Sequence, residues 1–410
     1  MASTCFDLYL YNFIDSKKHI SDLQRYYTTA LFLSGVSPVV VGNRLFIIGG
    51  YLPNQSISNK ICEIDLSLGR FTDVAELPVP IYNYSAIYYN SHIYIYGGID
   101  SNSNVYNRLF KFNVNNFSIT ELMSGPSREC HSSFVFDGKI YIFGGRDSSG
   151  IYSDMYCYDP ALNSWIPINY SSQNNPQGRY EHKGVLYNNK YYIFGGAGSG
   201  NVIYNDMWRY DPVNKSWTKL NPSGTIPPKR FDHTMIVYGN KIYLHAGFNI
   251  DKGYLNDTYI YSFSDNRWDP SNDTTPVARS DHGCFIYDRY LVVFGGIGPC
   301  DVVMGVDIYD LEKDIWISSC CENNCVISPG ATVLPVDDPH IGAVINLAPS
   351  SISYNRIQIR NNKGTLEIKN PTGPSSISSD KIILGSYRFE YDSIEDKLKL
   401  YKGNTLIQVF

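Results

Sequence analysis

The sequence predicts an all-β chain built as a radial array of four-stranded sheets, a β-propeller, and three observations predict it. A diglycine doublet recurs at Gly49-Gly50, Gly97-Gly98, Gly144-Gly145, Gly195-Gly196 and Gly295-Gly296, with the degenerate copy Ala246-Gly247 in the remaining place; the spacing stays between 47 and 51 residues. A period near 50 made of four-strand units marks a propeller. Each repeat carries short runs rich in Ile, Tyr and Phe, separated by hairpin signals. A Tyr precedes a Trp by seven residues at Tyr158/Trp165, Tyr210/Trp217, Tyr261/Trp268 and Tyr309/Trp316.

One repeat, residues 128–168, shows the plan. Ser132 to Phe136 is an apolar run, strand a. Asp137-Gly138 follows, a pair suited to a type I′ turn because both central positions need positive φ. Lys139 to Phe143 is the buried strand b, and Gly144-Gly145 ends it where the backbone turns tightly without a Cβ. Arg146 to Ser153 is a polar loop, Asp154 to Tyr158 strand c, and Trp165 opens strand d. The other a–b turns are Gly42-Asn43, Asn90-Ser91, Asn188-Asn189, Gly239-Asn240 and Asp288-Arg289. Strands c and d pair across a short turn, so the Tyr and Trp rings are expected to pack between neighbouring sheets.

Diglycine, then Tyr, then Trp, resembles the kelch repeat over residues 30–320. The first two repeats depart from it, with Phe71 and Ile119 in place of the Trp. The resemblance implies a kelch-type propeller over residues 1–349. Seven blades are expected, the seventh closed by N-terminal strands: Phe6 to Asn12 and Lys17 to Ser21 would pair with Pro329 to Pro335 and Ile341 to Leu347. Closure of this kind removes exposed sheet edges. Six blades with a packed N-terminal extension is the alternative. Residues 350–410 form a small β-rich appendage, with strands expected at Tyr354 to Arg360, Thr365 to Lys369, Lys381 to Leu384, Tyr387 to Asp392, Lys397 to Tyr401 and Thr405 to Phe410. So short a β segment calls for support from the propeller, from another copy or from an assembly.

The formal net charge is −5, which argues against a nucleic-acid partner. The first ten residues lack a basic segment and a long apolar run, so no secretory leader is expected there. No stretch approaches a transmembrane helix in length, and no membrane role is expected. Nine scattered cysteines suit free thiols in a reducing, cytoplasmic compartment. Richness in Asn, Tyr, Ile and Ser keeps a virion component open as an alternative.

In a propeller the d–a and b–c loops share one face and the a–b and c–d turns the other. The b–c loops are the longer set, and loops on a rigid scaffold are the usual binding surface. That face also receives a second series, Arg-x-x-His, at Arg128/His131, Arg179/His182, Arg230/His233 and Arg279/His282. Together with Arg146 these are the candidate binding residues. Two readings stand: the pairs knit the d–a loops into the blades, or they ring the channel mouth with guanidinium forks suited to carboxylates, such as an acidic peptide or a sugar acid. Glu181, Asp232 and Asp281, which precede three of the histidines, would partly neutralise such a ring.

Enzymes that the resemblance brings to mind find no matching set. No tyrosine, histidine and cysteine constellation for a copper radical oxidase stands out, and a Glu-x3-Asp-x3-His motif is missing. A mutarotase-type site for a sugar acid stays open through the Arg-x-x-His series. Cys320-Cys321 and Cys325, with Cys300 upstream, supply half of a zinc pattern at most. No catalytic residue, metal or cofactor is therefore assigned. The expected function is a non-enzymatic protein-binding or scaffold module, with residues 350–410 serving self-association or attachment.

Overall fold

The computed structural model describes residues 33–319 apart from 171–173, 276, 300 and 304–305, and beyond these the backbone of short strands between 344 and 409. The chain divides into two compact units, Met1–Cys325 and Val326–Phe410.

Among the described residues the first unit contains six blades, each an antiparallel sheet of strands a to d in chain order, the fifth with one further strand. Blade one is Val39–Val41, Arg44–Ile48, Lys60–Asp65 and Arg70–Glu76. Blade two is Ser85–Tyr89, His92–Tyr96, Leu109–Asn113 and Ile119–Leu122. Blade three is Ser132–Phe136, Lys139–Phe143, Met155–Asp159 and Ser164–Pro167. Blade four is Lys183–Tyr187, Lys190–Phe194, Met207–Asp211 and Ser216–Leu220. In blade five, Thr234–Tyr238 and Arg267–Pro270 flank a long hairpin of Lys241–Asn249 and Gly253–Ser262, and Ser223–Gly224 adds a parallel fifth strand at the outer edge. Blade six is Gly283–Tyr287, Tyr290–Phe294, Val306–Asp310 and Ile315–Ser319.

Local chemistry explains the turns. Asn90-Ser91, Asp137-Gly138 and Asn188-Asn189 all have both central φ angles positive, the type I′ requirement. At Gly42, Gly239 and Asp288 the first central residue alone is positive, as in a type II′ turn.

Blade one meets blade six directly, so six blades close the ring and the seventh expected from the chain ends is not built. Strand a of blade one packs beside strand a of blade six. Leu45, Ile47 and Ile64 share a hydrophobic cluster with Phe285, Val292 and Ile308. Five further clusters fill the other five seams among the described residues. A ring of backbone hydrogen bonds closes on the same count. The amides of Asn83, Cys130, Glu181, Asp232 and Asp281 each donate to the carbonyl one blade back, and Gly35 N donates to Asp281 O at 3.1 Å. Six residues from six blades complete that circle, and no place remains for a seventh. Residues 6–12, 17–21 and 329–335 lie outside the described residues.

The diglycine is an interblade clamp as well as a turn. Gly145 N donates to Arg179 O, Gly196 N to Arg230 O and Gly247 N to Arg279 O, at 2.8, 2.9 and 2.9 Å, always onto the next blade. Both residues of each described doublet have positive φ. A Cβ on Gly144 or Gly195 would lie 2.7 Å from that same arginine carbonyl. The Trp residues fill the seams as expected. Trp217 faces Tyr210 across strands c and d, with ring centroids 5.0 Å apart, and meets Phe143 of the preceding blade at 4.8 Å.

The second unit has a three-stranded antiparallel sheet of Val344–Ile345, Ile357–Asn362 and Thr365–Lys369. A four-stranded meander follows: Lys381–Leu384, Tyr387–Asp392, Lys397–Lys402 and Thr405–Val409. The last five strands follow the runs expected from the sequence; Ile357–Asn362 starts three residues later than expected, and Val344–Ile345, expected as a strand of a seventh blade, pairs here with Ile357–Asn362.

Candidate binding site at the channel mouth

The Arg-x-x-His arginines are structural. Arg179, Arg230 and Arg279 are fully buried and Arg128 is nearly so. Each pairs with an aspartate at or near the start of strand c in its own blade. Arg128 binds Asp154 at 2.7 Å, Arg179 binds Asp206 at 2.7 Å, Arg230 binds Asp257 at 2.6 Å, and Arg279 pairs with Asp307. Arg179, Arg230 and Arg279 also donate to the carbonyl of the first doublet residue: Gly195, Ala246 and Gly295. These forks hold the d–a loop, the doublet and strand c together, and they are not presented to a ligand.

The histidines are buried in the seams too. His131, His182 and His282 place Nε2 on hydroxyls of the preceding blade: Ser85 at 2.8 Å, Ser132 at 2.6 Å and Thr234 at 3.0 Å. Burial lowers the His131 pKa to about 3 and that of His182, His233 and His282 well below the usual value, so all four are neutral. Of the two readings of the series the one in which the pairs knit the d–a loops into the blades holds, and the alternative, a ring of free guanidinium forks for an acidic peptide or a sugar acid, is not formed. Of the candidate residues, Arg146 alone keeps an accessible charged group at the mouth.

What faces the channel mouth is acidic. The six ring residues are Gly35, Asn83, Cys130, Glu181, Asp232 and Asp281, and every one has positive φ. Glu129 stands beside Cys130, is 5% exposed, and takes Arg146 Nε at 2.9 Å. Arg146 Nη2 lies 3.9 Å from Glu181. Burial, then the neighbouring Asp232, pushes the Glu181 carboxyl well above the carboxylate range. Burial and the same neighbour do likewise for Asp281. Asp232 is raised to about 6 by burial, with Lys183 and Arg146 pulling it back.

Outside this throat lies an aromatic collar. In each blade the residue before the ring position pairs with the residue after the doublet: Ser34 with Tyr51, Tyr82 with Ile99, Glu129 with Arg146, Tyr180 with Ala197, Phe231 with Phe248 and Ser280 with Ile297. Tyr51 and Tyr82 lie 5.9 Å apart, and Arg146 sits 4.2 Å over the Tyr180 ring. Phe248 contacts Phe231 at 5.4 Å and Tyr254 at 5.0 Å. All these rings are partly exposed. The described residues contain no cluster of His, Cys, Asp and Glu able to hold a metal ion. Cys300, Cys320, Cys321, Cys325 and His340 lie outside the described residues.

A family model, the KLHDC2/KLHL20/DRC7 Kelch-repeats domain, matches residues 35–247 and 222–333. The chain belongs to the kelch-repeat family. It is similar to Kelch domain-containing protein 3 of Homo sapiens, 27% identical over 231 residues that cover 52% of this chain and 60% of that protein. It is similar also to the leucine-zipper-like transcriptional regulator 1 homolog of Drosophila melanogaster, 25% identical over 60% of this chain and 27% of that one. A third relative is tip elongation aberrant protein 1 of Schizosaccharomyces pombe, 31% identical over 41% of this chain and 16% of that one. The match thus covers less than two thirds of the length of each of these relatives. Kelch propellers are typically protein-interaction modules.

Sequence reasoning missed the arginines' partners. The signal was there: an Asp stands 26, 27, 27 and 28 residues after the four arginines. It missed the collar because Tyr51, Tyr82, Tyr180, Phe231 and Phe248 converge only after the kelch ring closes.

Proposed function

We propose that this kelch propeller is a protein-binding module that captures its partner with the face carrying the b–c loops. The aromatic collar carries the reading. Partly exposed tyrosines and phenylalanines on loops of a rigid scaffold are the side chains that dominate protein interfaces, because they bury large areas with few rotors to freeze. The long blade-five hairpin, which brings Phe248 and Tyr254 to that face, enlarges it on one side. A role without chemistry of its own is part of the proposal, as are a cytoplasmic setting and self-association or attachment through residues 350–410.

The test is a displayed peptide library selected on the full chain, followed by affinity measurements on purified variants. Tyr82→Ala and Phe248→Ala should each weaken the selected peptides by about tenfold or more. Leu162→Ser and Val213→Ser, at exposed c–d turns on the opposite face, should leave them unchanged. Peptides that depend on the c–d turns instead would place the binding face on the other side and sink the proposal.

A further inference from the structure

We infer that the root of the blade-five hairpin is an acid-sensitive hinge, in which His245 fills a slot that other blades close with an apolar side chain and leaves it for water when it takes a proton. The hinge stands on its own geometry. Its consequence for a partner rests on the proposed binding face, because the hairpin carries Phe248 and Tyr254.

The residue before each doublet closes strand b. It is Ile48, Tyr96, Phe143, Phe194 and Phe294 in blades one, two, three, four and six, opposite Ile61, Leu109, Met155, Met207 and Val306 of strand c. In blade five both partners are polar: His245 stands opposite Thr258, and both are buried. The imidazole occupies the place of the phenyl ring. It lies 4.7 Å from Trp316 and 5.5 Å from His282, as Phe194 lies 5.5 Å from Trp268 and 5.8 Å from His233. Nδ1 meets the Thr258 hydroxyl at 3.0 Å, and Nε2 has no partner. A polar pair that leaves one buried nitrogen unbonded costs stability in an apolar slot, so packing does not account for it.

The backbone changes at the same place. In the other five blades strand b stops at the residue before the doublet, whereas in blade five it runs on to Asn249 and turns back from Gly253. The register slips between His245 and Gly247, and Ala246, a residue with a Cβ, holds φ at +56° there. A slip of this kind re-aims a strand, so the extended hairpin pivots where the ionisable ring sits.

The charges around the ring oppose a proton on it. From its own blade it faces Arg230, whose Nη1 donates to the Ala246 carbonyl at 2.9 Å. From blade six it faces Arg279 and His282. The carboxylates of Asp257 and Asp307 already serve the two arginines. Burial, then Arg279 and Arg230, holds the His245 pKa well below its usual value against a pull from the Asp257 backbone. The ring in the closed root is therefore neutral, and in an opened root it titrates at the ordinary value of about 6.5. Opening is thus unaffected above that pH and favoured about tenfold for each unit below it.

The test is hydrogen exchange on the full chain, read by mass spectrometry on fragments spanning 241–262 and corrected for the intrinsic pH dependence of exchange. Opening of the hairpin should rise about tenfold between about pH 7.5 and about pH 5.5. His245→Phe with Thr258→Met, the pair that blade four uses, should abolish the rise. The other seam histidines and the throat acids are present in both chains and cancel in the comparison. No rise in the unmodified chain, which needs no variant to fold, overturns the inference, and so does an equal rise in the double variant. A peptide library that selects nothing at this face would remove the binding role and leave the hinge standing.

Discussion

At the scale of single residues the instructive group is the Arg–Asp pair repeated in blades three to six. In blades one and two both members change together. Leu33 and Ile81 replace the arginine, and Lys60 and Arg108 replace the aspartate. Those two cations then pair outward, Lys60 with Asp73 and Arg108 with Glu121. Joint exchange is what burial demands, since one charge left behind would lose its partner in a poorly solvated place. Arg179→Ile alone should therefore destabilise the fold by about 3–5 kcal/mol in denaturant unfolding, because Asp206 and Gly195 O lose their donor. Arg179→Ile combined with Asp206→Arg should recover much of that loss. A strictly additive cycle would show that the pair does not act as a unit.

At the scale of the element, the four-stranded blade is held by what it places in the seam. Trp217 covers Tyr210 of its own blade and Phe143 of the one before. Trp268 and Trp316 take the same place against Phe194 and His245. Trp217→Ala should cost about 3–5 kcal/mol, the range for emptying a large aromatic site. Phe71, which stands in the Trp position of blade one, is less buried than Trp217. Phe71→Ala should therefore cost less, and parallel melting curves of the two variants would check the order.

At the scale of the whole molecule, closure brings carboxylates from separate repeats to one axis, and this couples stability to pH. Glu129, Glu181, Asp232 and Asp281 face one another there, with Arg146 and Lys183 as the nearby cations. Glu181, Asp232 and Asp281 have folded-state pKa values above their unfolded ones. Their contribution to stability is fully present below pH 4 and is lost as pH rises through the folded values, which for Asp232 means about 6. From these groups alone stability should fall by on the order of 1 kcal/mol between pH 5 and 7, after allowance for their partial exposure. Asp232→Asn should flatten that slope in melting temperature against pH. An unchanged slope would assign the dependence to other groups.

The sequence by itself determined the repeat, the strand order within each blade, the turns and the Tyr–Trp pairing, because all of these rest on local spacing: period two in the strands, positive φ at the turns, seven residues from ring to ring. It carried the Arg-x-x-His series openly but left its direction undecided, since direction depends on where Asp154, Asp206, Asp257 and Asp307 stand across the blade. Tertiary structure alone decided the blade number, because six blades close when Gly35 reaches Asp281, a hydrogen bond between residues 246 positions apart. It also decided the polarity of the mouth. A residue with positive φ stands just before each of the four histidines while the arginine is buried against its aspartate, so of the two readings of the series the one that knits the loops holds.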